Sequence, residues 1–387
     1  MVDLCKKIIT ALIISAIIIS IPISSYSIGN IPETSAEASV LMIAGSNEVL
    51  YSDNPDKKLS MASTTKIMTA IIAIENGDLN KTITVTEKMT AVEGTSSGLL
   101  PGDKIDLLTL LYCMMLQSGN DAANATAFAV CGSIDKFLLM MNNKASEIGM
   151  NNTHFSTVSG LDADDHYSTA YDMALLASYA INNDIFREIC SSYNKTVCYG
   201  NPRYNRTLTN HNKLLKSYEG LIGVKTGFTK KSGRCLVSAA ERLGVRLICV
   251  TLDDYNDWAD HKKLLDYGFD TVNKIPLKIK DDIKAKVVGS AQKQLNVKML
   301  FEPSFFSSDT DFSYSYIVEL EHFLYAPVKK EDVVGRVIFY DKNGSMIAET
   351  PLLSSDDVKL LSKDDIKNKD DNSTIFKRIF KWIKGEK

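Results

Sequence analysis

A change of texture near Lys274 limits the architecture more than any other feature of the chain. Between about Ser35 and Asn273, short apolar runs alternate with long stretches of helical periodicity, and beyond Lys274 only short alternating segments remain. Such a chain is expected to build a mixed α/β (α+β) domain over residues 35–273 and a small all-β module over 274–353. The length of 387 residues suits one large domain with a smaller companion. No internal repeat is visible.

Within the first unit, Ala38–Ala44 reads as a strand ending in a turn at Gly45–Asn47. A helix is expected from Ser63 to Ile74, with Ile67, Met68, Ile71, Ile72 and Ala73 on one face and a stop at Asn76-Gly77. Further helices are expected over Leu107–Gln117, Asp121–Cys131, Ile134–Ile148, Ala170–Ile181 and Trp258–Gly268. Leu236–Ala240 and Val245–Val250 flank Leu243-Gly244 and read as a strand hairpin. In the second unit, strands are expected at Ala285–Val288, Leu295–Leu300, Ile317–Leu320 and Val333–Tyr340, with a turn at Asp341–Gly344.

Both ends carry membrane signals. Lys6 and Lys7 precede an apolar run from Ile8 to Ile23, which reads as a secretory signal over residues 1–27 with cleavage after Ser27; Ala36–Ala38 offers a second site, and an uncleaved anchor is the alternative. Cys5 precedes that run and so is misplaced for a lipoprotein cysteine. At the other end, Ile375, Phe376, Ile379, Phe380 and Ile383 share helical spacing, while Lys377, Arg378, Lys381 and Lys384 take the remaining faces. This reads as a basic amphipathic helix over 375–387 lying on a membrane surface, with Trp382 at the headgroup level. The polar stretch 354–374, rich in Asp and Lys, reads as its tether.

The net charge of −3 provides no global field for nucleic acid, so none is expected as a partner. The seven cysteines show no C-x-x-C, and the five histidines, His154 and His166 among them, show no ligand spacing. No metal or other cofactor is expected. Spacing alone leaves open whether Cys190 and Cys198 form a disulfide or stay as thiols.

Three short motifs carry the chemistry. In Met61-Ala62-Ser63-Thr64-Thr65-Lys66, residues i and i+3 share a helical face, so the Lys66 amine can reach the Ser63 hydroxyl. Serine becomes nucleophilic when a base takes its proton, and lysine is such a base only when desolvation or nearby cations lower its pKa. Leu116-Gln117-Ser118-Gly119-Asn120-Asp121 breaks two helical patterns and presents Ser118, a proton relay, and Asn120, a partner for a peptide amide. Gly223-Val224-Lys225-Thr226-Gly227-Phe228-Thr229 reads as a strand on which substrate can lie, with Lys225 and Thr226 for a carboxylate and Gly227 for close approach. Each alone is an ordinary turn or helix pattern.

In this order, S-x-x-K, S-x-N and K-T-G resemble the penicillin-recognising serine acyl-transferases. Asn120-Asp121-Ala122-Ala123, Ser159-Gly160-Leu161-Asp162, Asn210-His211-Asn212-Lys213 and Lys225-Thr226-Gly227-Phe228-Thr229 narrow the likeness to the low-molecular-mass penicillin-binding proteins that are serine-type D-alanyl-D-alanine carboxypeptidases. The resemblance spans about residues 35–270. It implies a β-lactamase/transpeptidase-like domain with helices around an antiparallel sheet. It implies Ser63 as nucleophile, Lys66 as base and Ser118 as relay, with Asn120, Lys225, Thr226 and Gly227 binding substrate. The oxyanion hole would be the backbone N–H groups of Ser63 and Phe228. The implied substrates are peptidoglycan stem peptides ending in D-Ala-D-Ala, the implied covalent inhibitors are β-lactams, and the implied location is the outer face of the bacterial cytoplasmic membrane.

Some relatives carry histidine where this chain has Ser159. His211 is expected to be a hydrogen-bonded structural histidine, with the pocket edge as the alternative. A β-lactamase is the nearest rival, but class A enzymes deacylate with a glutamate, and His154–Tyr171 contains Asp162, Asp164 and Asp165 without any Glu.

Overall fold

A computed structural model of the chain describes residues 31–362. The apolar run at 8–23 and the amphipathic segment at 375–387 lie outside the described residues. Among the described residues, no helix is long and apolar enough to cross a membrane.

The first unit is organised by a five-stranded antiparallel sheet. Its strands are β1 (Ala36–Ile43), β2 (Val49–Asp53), β7 (Leu221–Thr229), β8 (Gly233–Arg242) and β9 (Val245–Asp254), in the order β2-β1-β9-β8-β7. The alternation of side chains explains why both faces are covered. On β9, Ile248, Val250 and Leu252 enter the larger core, whereas Leu247 and Cys249 enter the smaller one. Likewise Val40 and Met42 of β1 face one way and Leu41 and Ile43 the other. Strands buried on both faces read as near-continuous apolar runs, which is how β8 and β9 appear in the sequence apart from Ser238 and Thr251.

The larger core lies between the sheet and five helices: α1 (Lys66–Asn76), α2 (Leu107–Leu116), α3 (Asn120–Cys131), α4 (Ile134–Glu147) and α5 (Ala170–Ala180). The smaller core lies under α7 (Asp257–Thr271), and a sixth helix, α6 (Asp184–Ser191), packs against β7. Every residue of α1 from Lys66 to Ala73 is buried, so this helix runs through the middle of the helical layer. A small sheet made of β3 (Thr82–Thr84), β4 (Lys104–Asp106), β5 (Asn194–Gly200) and β6 (Arg203–Thr209) flanks it.

The start of α1 departs from the expectation of a helix beginning at Ser63. Ala62–Thr65 form a 3₁₀ turn, and the α-helix starts at Lys66. Ala62 has a φ of +47°, which a helix cannot continue. Sequence reading also passed over α6, which is only eight residues long although Phe186, Ile189 and Cys190 share its buried face, and the β5–β6 hairpin. Cys190 and Cys198 are both free thiols, the first buried and the second exposed.

The second unit is all β. A six-stranded sheet runs in the order β14 (Tyr314–Leu320), β16 (Val333–Asp341), β17 (Met346–Ser354), β12 (Gln294–Met299), β11 (Ile283–Val288), β15 (Leu324–Tyr325), beside the pair β10 (Asn273–Pro276) and β13 (Ser304–Ser307). The chain stays packed on this module beyond residue 353: Val358 is buried in its core and pairs with Val328, and the Leu361 N–H donates to the Gly289 carbonyl. The two units touch where Glu48 Oε1 accepts from the Ser308 N–H at 2.9 Å and its hydroxyl at 2.6 Å.

One buried carboxylate ties the α2–α3 connection to the segment beside it. Asp121 accepts from the Ser96 hydroxyl at 2.7 Å and from the N–H groups of Ser97 (2.8 Å), Leu99 (3.0 Å) and Ala122 (2.9 Å). Asp121→Ala would orphan the Ser97 and Leu99 donors, each worth roughly 1–3 kcal/mol when buried without a partner. Urea unfolding should therefore show a loss of about 2–6 kcal/mol; a loss below about 0.5 kcal/mol would mean that water replaces the carboxylate.

Candidate active site

Ser63 sits in the 3₁₀ turn, one helical turn before the buried Lys66. Lys66 Nζ donates to Ser63 Oγ at 2.8 Å, to Asn120 Oδ1 at 2.7 Å and to the Ser159 carbonyl at 2.6 Å. Three acceptors therefore surround an amine with no exposed surface. Burial, then the neighbouring Lys225 charge, drive its pKa well below the ordinary lysine value; Asp121 opposes them weakly. Loss of one proton leaves a lone pair on an amine already within hydrogen-bonding distance of Ser63 Oγ. That is the geometry of a general base.

The Ser-Gly-Asn break falls between α2 and α3. Ser118 adopts a left-handed φ of +62°, and Asn120 heads α3. A side chain at Gly119 would strike Ser97 Oγ at 2.0 Å, so this tight passage requires glycine. Asn120 is fixed at both ends, accepting from Lys66 and donating through Nδ2 to the Glu93 carbonyl at 2.7 Å.

Lys-Thr-Gly lies on β7, the edge strand of the five-stranded sheet. Lys225 points toward the helical layer, is 2% exposed, and donates to Ser118 Oγ at 3.1 Å and to the Thr226 carbonyl at 2.8 Å. Burial lowers its pKa to about 7. Gly227 passes close to the nucleophile's backbone: a Cβ there would lie 3.1 Å from Ser63 N and from Met61 O. Phe228 follows on the same strand and is exposed.

A cavity of about 420 Å³ joins these parts, lined by Ser63, Ser118, Thr226, Gly227 and Phe228 together with Thr95, His211, Arg234, Asp257 and Trp258. All the predicted site residues thus converge on one place, with Lys66, Asn120 and Lys225 behind its wall. His211 borders this cavity, and its ring has no hydrogen-bond partner among the described residues, so the structural role expected for it is not what the geometry gives.

Several groups escaped sequence reading. The Ser159 carbonyl holds Lys66, but a backbone oxygen has no sequence signature. Arg234 Nη2 pairs with Asp257 at 2.6 Å across β8 and α7, a contact that only the tertiary fold brings about. Asp162 accepts from Ser60 at 2.8 Å and Thr229 at 3.1 Å, joining the segment before Ser63 to the end of β7.

Comparison with known proteins agrees with this geometry in both units. A family model described as D-alanyl-D-alanine carboxypeptidase matches residues 26–256, and one described as the C-terminal domain of penicillin-binding protein 5 matches 261–360. The chain is 33% identical over 347 residues to D-alanyl-D-alanine carboxypeptidase DacA of Escherichia coli, covering 84% of each. It is 29% identical to DacF of Bacillus subtilis, covering 92% of this chain and 95% of that one. The crystal structure of D-alanyl-D-alanine carboxypeptidase DacD from Francisella tularensis superposes with a TM-score of 0.61 at 25% identity, over 86% of this chain and 95% of the other. Since the first match takes in α1, the α2–α3 connection and β7, the segments that meet around Ser63, the chain belongs to the D-alanyl-D-alanine carboxypeptidase family.

Proposed function

We infer that the chain is a serine-type D-alanyl-D-alanine carboxypeptidase that removes the terminal D-alanine from peptidoglycan stem pentapeptides through an acyl-enzyme on Ser63. The observation that carries this reading is the fully buried Lys66 amine, its pKa depressed, 2.8 Å from Ser63 Oγ.

In this scheme Ser63 Oγ attacks the carbonyl of the penultimate D-alanine while its proton passes to Lys66. The backbone N–H groups of Ser63 and Phe228 receive the negative charge on the carbonyl oxygen, and Gly227 allows the strand to come close enough for both to act. The C–N bond then breaks. Ser118, hydrogen-bonded to Lys225, relays a proton to the departing D-alanine amine. Asn120 orients the substrate amide, and Thr226 with Lys225 receives the terminal carboxylate. Water attacks the ester, releases the shortened peptide and restores Ser63. β-Lactams acylate the same serine through their strained amide.

The residue blocks receive matching roles. Residues 1–27 export the chain, 35–273 perform the chemistry, 274 to about 361 form the β module, the part of 354–374 beyond it forms the tether, and 375–387 hold the enzyme at the outer face of the bacterial cytoplasmic membrane. Support for the last assignment is the pairing of apolar and basic residues at helical spacing.

Mass spectrometry of a D-Ala-D-Ala pentapeptide incubated with the enzyme should show loss of one alanine, and an intact peptide would refute the reading. With labelled penicillin, Ser63→Ala should give no adduct. Lys66→Arg keeps the charge but has no neutral form at working pH, so acylation should drop about 10²–10⁴-fold.

The pH dependence has a definite sign. The Lys225 ammonium disfavours an ammonium at Lys66, so removing it raises the pKa of Lys66. Lys225→Gln should therefore move the ascending limb of acylation kcat/KM to higher pH, and a limb that stays put would separate the two amines. Truncation after Thr374 should release the protein from membranes while sparing hydrolysis of a soluble peptide.

A further inference from the structure

Behind the Ser63 turn lies a buried histidine that acyl transfer does not use. His166 is 2% exposed, and its Nδ1 accepts from the Ser156 N–H at 3.1 Å. That bond places the ring proton on Nε2, which lies 2.8 Å from Thr65 Oγ1 and donates to it. With its lone pair so engaged, the Thr65 hydroxyl directs its own proton to the Ala62 carbonyl at 2.8 Å. The chain runs in one direction, from Ser156 through His166 and Thr65 to Ala62.

Its end point matters because Ala62 and Ser63 share one planar trans peptide, in which C=O and N–H point in opposite directions. Fixing the Ala62 oxygen therefore fixes the Ser63 N–H. The oxygen is also wedged against Gly160, where a Cβ would lie only 1.9 Å away. On the nitrogen side lies Gly227, as the close approach to Ser63 N shows. The conformation so held is unfavourable in itself, since Ala62 has a φ of +47°.

We propose that His166, acting through Thr65, is a positioning residue that sets the orientation of the Ala62–Ser63 peptide and so aims the Ser63 N–H at the developing oxyanion. This rests on the reading of Ser63 as nucleophile and oxyanion donor. Burial pulls the His166 imidazole down to a pKa of about 4, which preserves the neutral tautomer near neutral pH. A second buried histidine supplies the contrast. His261 bonds Thr251 Oγ1 at 3.0 Å and Ser238 Oγ at 2.9 Å, both on central strands and away from the cavity lining.

The test is rapid-mixing acylation of the full chain by labelled penicillin, with the rate at saturation separated from the half-saturating concentration. Loss of an oxyanion donor slows reaction about 10²–10³-fold, so misaiming one should cost about 10–100-fold. Thr65→Val and His166→Phe should each lower the saturating rate by that factor per folded molecule, with half-saturation changed less than about twofold. Thr65→Ser, which keeps the hydroxyl, should stay within about threefold of the wild type. His261→Phe should lower the melting temperature and leave the saturating rate intact. Should Thr65→Val fail to fold, His166→Phe decides alone. Wild-type saturating rates in the Thr65 and His166 variants would overturn the inference while leaving the carboxypeptidase reading intact. A wild-type chain that forms no adduct at Ser63 would overturn both.

Discussion

The site depends on a lysine held where lysines are seldom found, in the interior of a helical layer with no surface of its own exposed to water. An ammonium in such a place is costly; the chain lowers that cost by surrounding Nζ with three oxygen acceptors, and the cost that remains favours the neutral amine. The requirement runs through the fold. α1 must be buried along its length, Asn120 must stand at the head of α3, and the Ser159 carbonyl must turn inward. Each of these features would be a defect in a helix built only for packing.

A second buried lysine compounds the effect. Lys225 approaches the site from the sheet as Lys66 does from the helices, and each makes a positive charge on the other less favourable. The edge position of β7 matters for the same reason: it delivers Lys225 to the interior and Thr226 to the cavity from one short segment. Alternation along a strand is what allows adjacent residues to serve two compartments.

Much of this was legible in the chain because strict local geometry leaves a sequence trace. Ser63 and Lys66 stand one turn apart, Gly119 fits where no side chain can, and Lys225-Thr226-Gly227 sits in a run that reads as a strand. The apolar runs of β8 and β9 and the stop of α1 at Gly77 were equally visible. What could not be read was contact between distant segments through backbone atoms or conformation. The Ser159 carbonyl, the left-handed Ala62, the Asp162 link between Ser60 and Thr229, and the arrival of His211 at the cavity all depend on tertiary approach. The β5–β6 hairpin went unseen because its inward-facing positions mix types, Lys195 with Val197 and Tyr199 and Arg206 with Leu208, which blurs the two-residue apolar rhythm of a half-buried strand.

Those unread features share a physical logic. Ala62 occupies a region of φ that non-glycine residues avoid, and such a conformation persists only where neighbours over-determine it. Here the neighbours are Gly160 and Thr65 on the carbonyl side and Gly227 on the nitrogen side, and two of the three lack a side chain at the point of contact. Removing a Cβ lets three remote segments close to backbone distance, and that closeness keeps a reactive turn rigid. Rigidity at Ser63 therefore arises from sparse side chains packed against main chain, whereas reactivity arises from a crowded amine. The family's motifs record the second directly and the first only as scattered glycines.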